Sequence, residues 1–444
     1  MAITILGLGP GDPHALTIEA RDALQHAREI FLRTREHPTV AALPKHLKAH
    51  SFDHLYETLN SFDAIYAAIA DAIVARGERG DVLYAVPGHP LFGESSVQKI
   101  LAQAREKKIP TRLIAGVSFV DAACAALALD PLARGLQVAD ATDLARQHFP
   151  HLDPDQPALI GQMYSRAVAS DCKLTLLALY PPGHMVTRVA AAGTPQQKIE
   201  TLPLAELDRA EQWATTRARP YDLTTVYVPP LSRPSSVNAL AEVIARLRAP
   251  DGCPWDREQT HASIRQDLME ECYEVLETLD DGDIPHLREE LGDLLFHVLF
   301  QAQIASESGE FLLSEVTADI AEKLVRRHPH VFGDVIANNA DEAIESWERV
   351  KRKDAWRSGK ATPKVSVPRA LPALARAQKI ARRGKIKADV RDLTARVDRL
   401  PRARNRARAL GEVLFALAAY AAQKHIDAEG ALRAATNKIN LEGL

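Results

Sequence analysis

Glu270-Glu271-Cys272-Tyr273-Glu274, the break Asp280-Asp281-Gly282-Asp283-Ile284-Pro285, and Glu289-Glu290-Leu291-Gly292-Asp293 form the stretch that organises this chain. The pattern is E-E-x-x-E, a spacer, then E-x-x-D. Glu270, Glu271 and Glu274 share an arc of about 100° on one helix, and Glu289, Glu290 and Asp293 share one on the next. Leu268, Val275, Leu276 and Leu279 on the first run, and Leu291, Leu294 and Leu295 on the second, supply apolar packing surface beside the acids. Glu274 and Glu290 each stand eight residues from Gly282, while Glu271 and Asp293 each stand eleven from it. In an antiparallel hairpin each pair sits at one height, because the rise is about 1.5 Å per residue on both arms. Four carboxylates then converge between two helices.

Like charges held close repel and lose hydration, so such a set calls for a cation. An all-oxygen set without Cys or His suits Mg²⁺ or Mn²⁺ rather than zinc. Hard cations held by a few carboxylates take phosphates as their other ligands. A single E-E-x-x-E is most simply the solvated face of a helix. The second, mirror-placed E-x-x-D is what favours the metal reading.

From Cys253 to about Lys351 the chain resembles the MazG family of nucleoside triphosphate pyrophosphohydrolases. The matching pieces are C-P-W-D-R-E-Q-T-H at 253–261, M-E-E-C-Y-E-V-L-E at 269–277, R-E-E-L-G-D-L-L-F at 288–296, E-K-L-V-R-R-H-P-H-V-F-G-D at 322–334, and the pair Trp347 and Lys351. The resemblance implies an all-α domain that uses Mg²⁺ to cleave a nucleoside triphosphate into monophosphate and pyrophosphate. Carried over position by position, it implies Glu271, Glu274, Glu290 and Asp293 as metal ligands.

Further roles are expected around that set. Glu270 or Glu289 is the candidate to orient or deprotonate the attacking water. Lys323 and Arg327, four apart on one helix, share a face suited to a triphosphate. Trp347 is expected against base or sugar, Lys351 on phosphate, and Trp255 with Asp256 near the nucleotide. His328-Pro329-His330 reads as a structural turn.

The amino-terminal half has another grammar. Ala2 to Leu6 reads as a buried strand that runs into Gly7-Leu8-Gly9-Pro10-Gly11-Asp12-Pro13 and a helix from about Thr17 to Ala27. Strand, glycine loop and helix in that order open a doubly wound α/β domain. Strand 81–86, the loop Pro87 to Gly93 and a helix from Ser95 to Lys107 repeat the logic, and strand 111–114 leads into Gly116-Val117-Ser118. Further strands are expected at 158–163, 174–180, 186–191 and 224–228. The loops G-L-G-P-G-D-P at 7–13, G-D-V-L-Y-A-V-P-G-H-P at 80–90, A-G-V-S at 115–118 and A-A-G-T-P at 191–195 resemble the tetrapyrrole methylase family, whose members have two α/β lobes and use S-adenosylmethionine. The resemblance implies Gly7, Gly9, Gly11, Pro87, Gly88, His89, Gly116 and Ser118 as the cofactor-binding positions. The chain departs from the family at His89, where the family loop reads G-D-P. An imidazole in place of a carboxylate puts methyl transfer in doubt.

The expected architecture is therefore multidomain. An α/β two-lobed domain occupies 1–230, an all-α MazG-like domain 231–360, and a degenerate second helical repeat 361–444. In that repeat Leu410 to Phe415 echoes Leu291 to Phe296, with Ala409 where Glu290 would stand. Linkers are expected at 229–236 and 359–368. The repeat is expected to pack on the first copy or to form a homodimer.

With 444 residues, 46% hydrophobic and 25% charged, the chain is long enough for several cores and has the composition of a soluble globular protein. Its net charge of −3 marks the whole chain as no obvious polyanion binder. The 14 Lys and Arg against three acids in 369–408 read as a solvated helical face, without a nucleic-acid motif. Cys124, Cys172, Cys253 and Cys272 lack C-x-x-C spacing, which argues against structural zinc and suits a reducing, cytoplasmic location. No signal peptide or membrane span is expected. The leading reading is a Mg²⁺-dependent nucleotide pyrophosphohydrolase. Its rivals are an S-adenosylmethionine-dependent methyltransferase with an accessory helical half, and a catalytically silent binding or regulatory protein.

Overall fold

Strand β1, Ile3–Gly7, lies in the middle of a five-stranded parallel sheet, between β4 (Val82–Val86) and β5 (Thr111–Ile114). β2 (Glu29–Leu32) and β3 (Lys48–Ser51) complete the order β3-β2-β4-β1-β5. A central parallel strand is covered on both faces, which is why β1 is apolar nearly throughout. Ile3 and Ile5 join a core with Ile65, Ile69, Ile73, Val97 and Ile100, while Leu6 and Leu8 join another with Ala20, Leu24, Ile30 and Leu32. The alternation is the two-residue period of a strand, and helices Phe62–Gly77 and Ser95–Glu106 cover one face while Ile18–His26 covers the other. Thr17 starts the last of these by accepting a hydrogen bond from the Ala20 N–H.

The structure, a computed structural model, describes residues 1–209, 224–357 and 367–439. Most of the linker expected at 359–368 lies outside them. The second sheet has the order β6-β7-β10-β8-β9, built from Gln137–Asp140, Ala158–Gly161, Met185–Ala190, Lys198–Pro203 and Thr224–Val228 in chain order. Only β6 and β7 pair in parallel; β7-β10, β10-β8 and β8-β9 are antiparallel. The strand expected at 174–180 is absent there. That segment is the end of helix Arg166–Leu176 and the turn after it. Ala169, Cys172 and Leu176, all buried, repeat at three and four residues, which is a helical period.

Two compact units make up the chain, Met1–Glu307 and Ser308–Leu444. The division falls inside the stretch 231–360. In the first unit the Asp155 carboxylate accepts hydrogen bonds from the backbone N–H groups of Ser235 and Ser236 and from the Ser236 hydroxyl. It thereby ties the 229–236 connection to the second lobe where helix Val237–Arg248 begins. Helices Arg265–Asp281 and Ile284–Glu307 follow as an antiparallel hairpin. The second unit is helical, with Leu313–Arg327, Ala340–Arg357, Ala373–Gly384, Val390–Arg399, Arg406–Gln423 and Ala428–Thr436 as its longer elements. The Leu410 to Phe415 echo lies within Arg406–Gln423. Ala381, Ala388 and Ala419 form a small-residue core there, with Phe415 and Tyr420 packed against it. No helix among the described residues is long and apolar enough to cross a membrane.

Candidate functional site

The hairpin turn is built by a few residues. Gly282 ends the first acidic helix at φ 71°, a left-handed conformation that glycine adopts without Cβ strain. The N–H groups of Gly282 and Asp283 both return to the Thr278 carbonyl. Asp283 then opens the second helix, accepting the His286 N–H at 3.2 Å and pairing with the His286 ring. This short connection fixes the two arms in register.

Along the arms, Glu271, Glu274 and Glu290 come together. Each offers one carboxylate oxygen, and those oxygens lie within 4.8 Å of one another. Asp293 stands beside them, close enough that its charge raises the pKa of both Glu271 and Glu290. The Glu271 carboxyl is pushed up to about 7, first by burial and then by the charges of Glu274, Asp293 and Glu290. Glu290 also moves upward, through burial and the charges of Glu274 and Asp293. Three oxygens from two helices, crowded so that the proton affinity of Glu271 and Glu290 rises, match the donor chemistry of a hard divalent cation. An open cavity of about 290 Å³ adjoins them, lined by Glu274, Glu277, Thr278, Asp281, Asp283, His286 and Glu290.

The other expected residues fall as follows. Glu270 accepts a hydrogen bond from the Gln266 amide at 3.2 Å, and Glu289 is exposed on the second arm. Trp255 lies on the short helix Pro254–Glu258 and is 58% exposed. Lys323, Arg327, Trp347 and Lys351 belong to the second unit. There Arg327 pairs with Asp354, and both Arg327 and Lys351 stand over the Trp347 ring, at 5.6 and 4.3 Å from its centroid. The i, i+4 spacing of Trp347 and Lys351 thus joins them to each other in a cation–π contact. The His328 Nδ1 lies 2.7 Å from the Leu324 carbonyl just before the one-turn helix Pro329–Phe332.

Sequence reasoning missed His297. It is buried on the second arm, with Nε2 3.9 Å from Glu271 Oε1. Its position four residues after Asp293 was the available signal, since i, i+4 residues share a helix face.

In the amino-terminal half the glycine loops meet one another. Gly9 and Gly88 exchange backbone hydrogen bonds, at 3.1 and 2.8 Å. A Cβ on Gly7 would lie 2.5 Å from the Gly88 carbonyl oxygen, and one on Gly116 would lie 2.2 Å from it. Glycine at 7 and 116 is therefore demanded by loop-on-loop packing. Ser118 caps helix Phe119–Leu127 in a reciprocal arrangement with Asp121. Pro87, Gly88 and His89 line a cavity of about 620 Å³ between the sheets, together with Phe92, Phe119 and Tyr164. The His89 Nδ1 accepts the Leu91 N–H at 3.1 Å, the turn-holding bond a carboxylate would make at that place, without its negative charge. On the cavity wall Arg33 and Glu94 form a buried ion pair at 3.2 Å. Burial pushes the Glu94 carboxyl up to about 7 despite the Arg33 charge.

Comparison with known proteins adds to this geometry. A profile of the Tetrapyrrole (Corrin/Porphyrin) Methylases matches residues 2–208, and a profile of the MazG nucleotide pyrophosphohydrolase domain matches residues 259–332. The Bacillus subtilis protein YabN is 39% identical over 383 residues, which are 85% of this chain and 76% of YabN. A nucleoside triphosphate pyrophosphohydrolase of Escherichia coli is 46% identical over 150 residues, which are 34% of this chain and 57% of that enzyme. The nucleoside triphosphate pyrophosphohydrolase/pyrophosphatase MazG of Thermotoga maritima is 36% identical over 219 residues, covering 45% of this chain and 80% of that protein.

Proposed function

This chain belongs to the MazG family, in the arrangement that sets a tetrapyrrole methylase-type domain ahead of the MazG domain, and from that premise we propose that it hydrolyses nucleoside triphosphates to monophosphate and pyrophosphate. The observation that carries the reading is the meeting of Glu271, Glu274 and Glu290 oxygens within 4.8 Å across the hairpin. These three, with Asp293 beside them, would hold Mg²⁺ or Mn²⁺. Such an ion supplies charge neutralisation for the triphosphate and for the oxygens that gain charge as the bond breaks.

The remaining work falls to the chain's own groups. Glu270 and Glu289 flank the ligand set and are the candidates to orient the attacking water and take its proton. Lys323 and Arg327 are the proposed triphosphate contacts, Trp347 with Lys351 and Trp255 the proposed nucleotide contacts. The wider role is clearance of nucleoside triphosphates from the pool. Product analysis tests the assignment: mixed nucleoside triphosphates with Mg²⁺ release pyrophosphate, and orthophosphate as the sole initial inorganic product overturns it.

The amino-terminal half is proposed to bind S-adenosylmethionine weakly or unproductively, because His89 keeps the turn bond of a carboxylate and loses its charge. Titration calorimetry decides the binding part, and micromolar or tighter affinity contradicts it. A homodimer through the helical half is proposed from the exposed Leu279, Leu291 and Val298 of the hairpin. Sedimentation of the intact chain as a monomer counts against it.

A further inference from the structure

We propose that His297 is a positioning residue for the acidic centre, its Nε2–H holding the Glu271 carboxylate in place to receive a divalent cation. The inference rests on the pyrophosphohydrolase reading above. His297 lies on the second arm one turn beyond Asp293, so its side chain rises on the same face as the ligand set. Its ring is buried, only 5% exposed, and packs edge-on against Phe296 with centroids 5.3 Å apart. Its Nδ1 has no hydrogen-bond partner among the described residues. Its Nε2 faces Glu271 Oε1 at 3.9 Å.

A buried imidazole is costly unless its nitrogens are used, so a purely apolar role would leave two polar atoms to be explained. With the proton on Nε2, the donor points at a carboxylate just outside hydrogen-bond range. A shift of about 1 Å closes the bond, and an ionised acceptor strengthens it. Glu271 has two oxygens, enough to accept from His297 and still face Glu274 and Glu290. Ligating carboxylates fixed by such an outer partner hold their metal more tightly, and loss of the partner commonly costs about 10- to 100-fold in affinity.

The test uses the intact chain, Mn²⁺ as probe and no nucleotide. Free Mn²⁺ is followed by electron paramagnetic resonance for wild type, Glu271→Gln, His297→Leu and His297→Gln. His297→Leu fills the same space without a donor, and Mn²⁺ affinity is expected to fall about tenfold or more. His297→Gln keeps an N–H donor within reach of Glu271, and affinity close to wild type is expected. Steady-state rates supply a second readout: His297→Leu raises the Mg²⁺ concentration for half-maximal rate and leaves kcat at saturating Mg²⁺ nearly unchanged. Wild-type affinity in a folded His297→Leu protein overturns the proposal. So does a folded His297→Gln protein that has lost affinity, which also covers the case in which the Leu variant fails to fold. If instead wild type and Glu271→Gln bind Mn²⁺ alike, the metal centre itself is misassigned and His297 falls with it. Loss of binding in Glu271→Gln alone overturns only the role of His297.

Discussion

Replacing Glu271 by Gln separates function from stability. The amide keeps the shape of the carboxylate and removes one negative charge from the group of three oxygens gathered within 4.8 Å. Loss of one electrostatic element at a transition state commonly costs about 3 kcal/mol, a hundredfold in rate. Stability moves the other way. Burial and three neighbouring acids raise the Glu271 carboxyl from 4.5 to about 7 in the metal-free fold. A carboxyl with a raised folded pKa favours the native state while protonated, and that advantage is lost as pH rises from the unfolded value through the folded one. At pH 8 the ionised group opposes folding, by about 1 kcal/mol once solvent screening is allowed for. Removing the charge should then raise the metal-free Tm by about 2 °C. Asp293→Asn should lower turnover in the same way. The control is Glu412→Gln in the proposed second repeat, where the exposed carboxylate accepts from Arg408 four residues before it. Its turnover should match wild type. The assay is pyrophosphate release with Mg²⁺, paired with thermal melts in a chelator. Glu271→Gln active within tenfold of wild type refutes the ligand assignment. Glu412→Gln inactive while Glu271→Gln works would place the site in the other repeat.

Two more outcomes are expected. A carboxyl must lose its proton to bind a cation, so Mn²⁺ affinity should climb as pH rises through about 7, where Glu271 titrates, while metal-free stability falls over the same window; affinity that stays flat between pH 5.5 and pH 8, roughly the span of that titration, contradicts it. Gly116→Ala would set a Cβ 2.2 Å from the Gly88 carbonyl oxygen, whereas Gly80→Ala meets nothing within 4 Å. The first should cost about 3 kcal/mol and the second little, so equal melting temperatures would contradict the packing account.

The hairpin was legible because two signals agree in it: a 3.6-residue period on each arm and acids mirrored about Gly282. The interior strands β1 and β4 were legible as short apolar runs next to glycine loops. β9, Lys198–Pro203, was not, because four of its six residues are exposed along the edge of the sheet and only Ile199 among them is apolar. β2 and β3 are four residues each, too short for a period to show. The expectation of a strand at 174–180 failed on a real ambiguity, since a brief apolar run reads alike in a strand and at a helix end. Gly7 and Gly116 stood out as members of the glycine loops, but their packing partner did not. Their lack of a Cβ serves contact with Gly88, a partner 81 residues from Gly7 in sequence, and only the assembled sheet brings the loops together. His297 was passed over for another reason: despite standing four residues after Asp293, within Leu-Phe-His-Val-Leu it looks like one more position in a buried helix.

Local inconsistency in this fold coincides with its proposed chemistry. Several acids elsewhere in the first unit are compensated: Asp155 accepts three hydrogen bonds, Asp208 holds Lys173 at 2.7 Å, and Glu307 holds Arg248. At the hairpin the sequence does the reverse, setting Glu271, Glu274 and Glu290 against one another with Asp293 alongside. Two amphipathic helices could pair through Leu and Val with their acids turned to water, so the crowding is not a requirement of the fold. It carries a cost to the metal-free protein that positive charge would offset. A divalent cation would supply that charge, and phosphates carried by it would fill the coordination that the carboxylates leave open. A crowded arrangement of this kind is one that a bound cation would relieve, which is why the metal-free melt and the metal titration of the same variants should move in opposite directions.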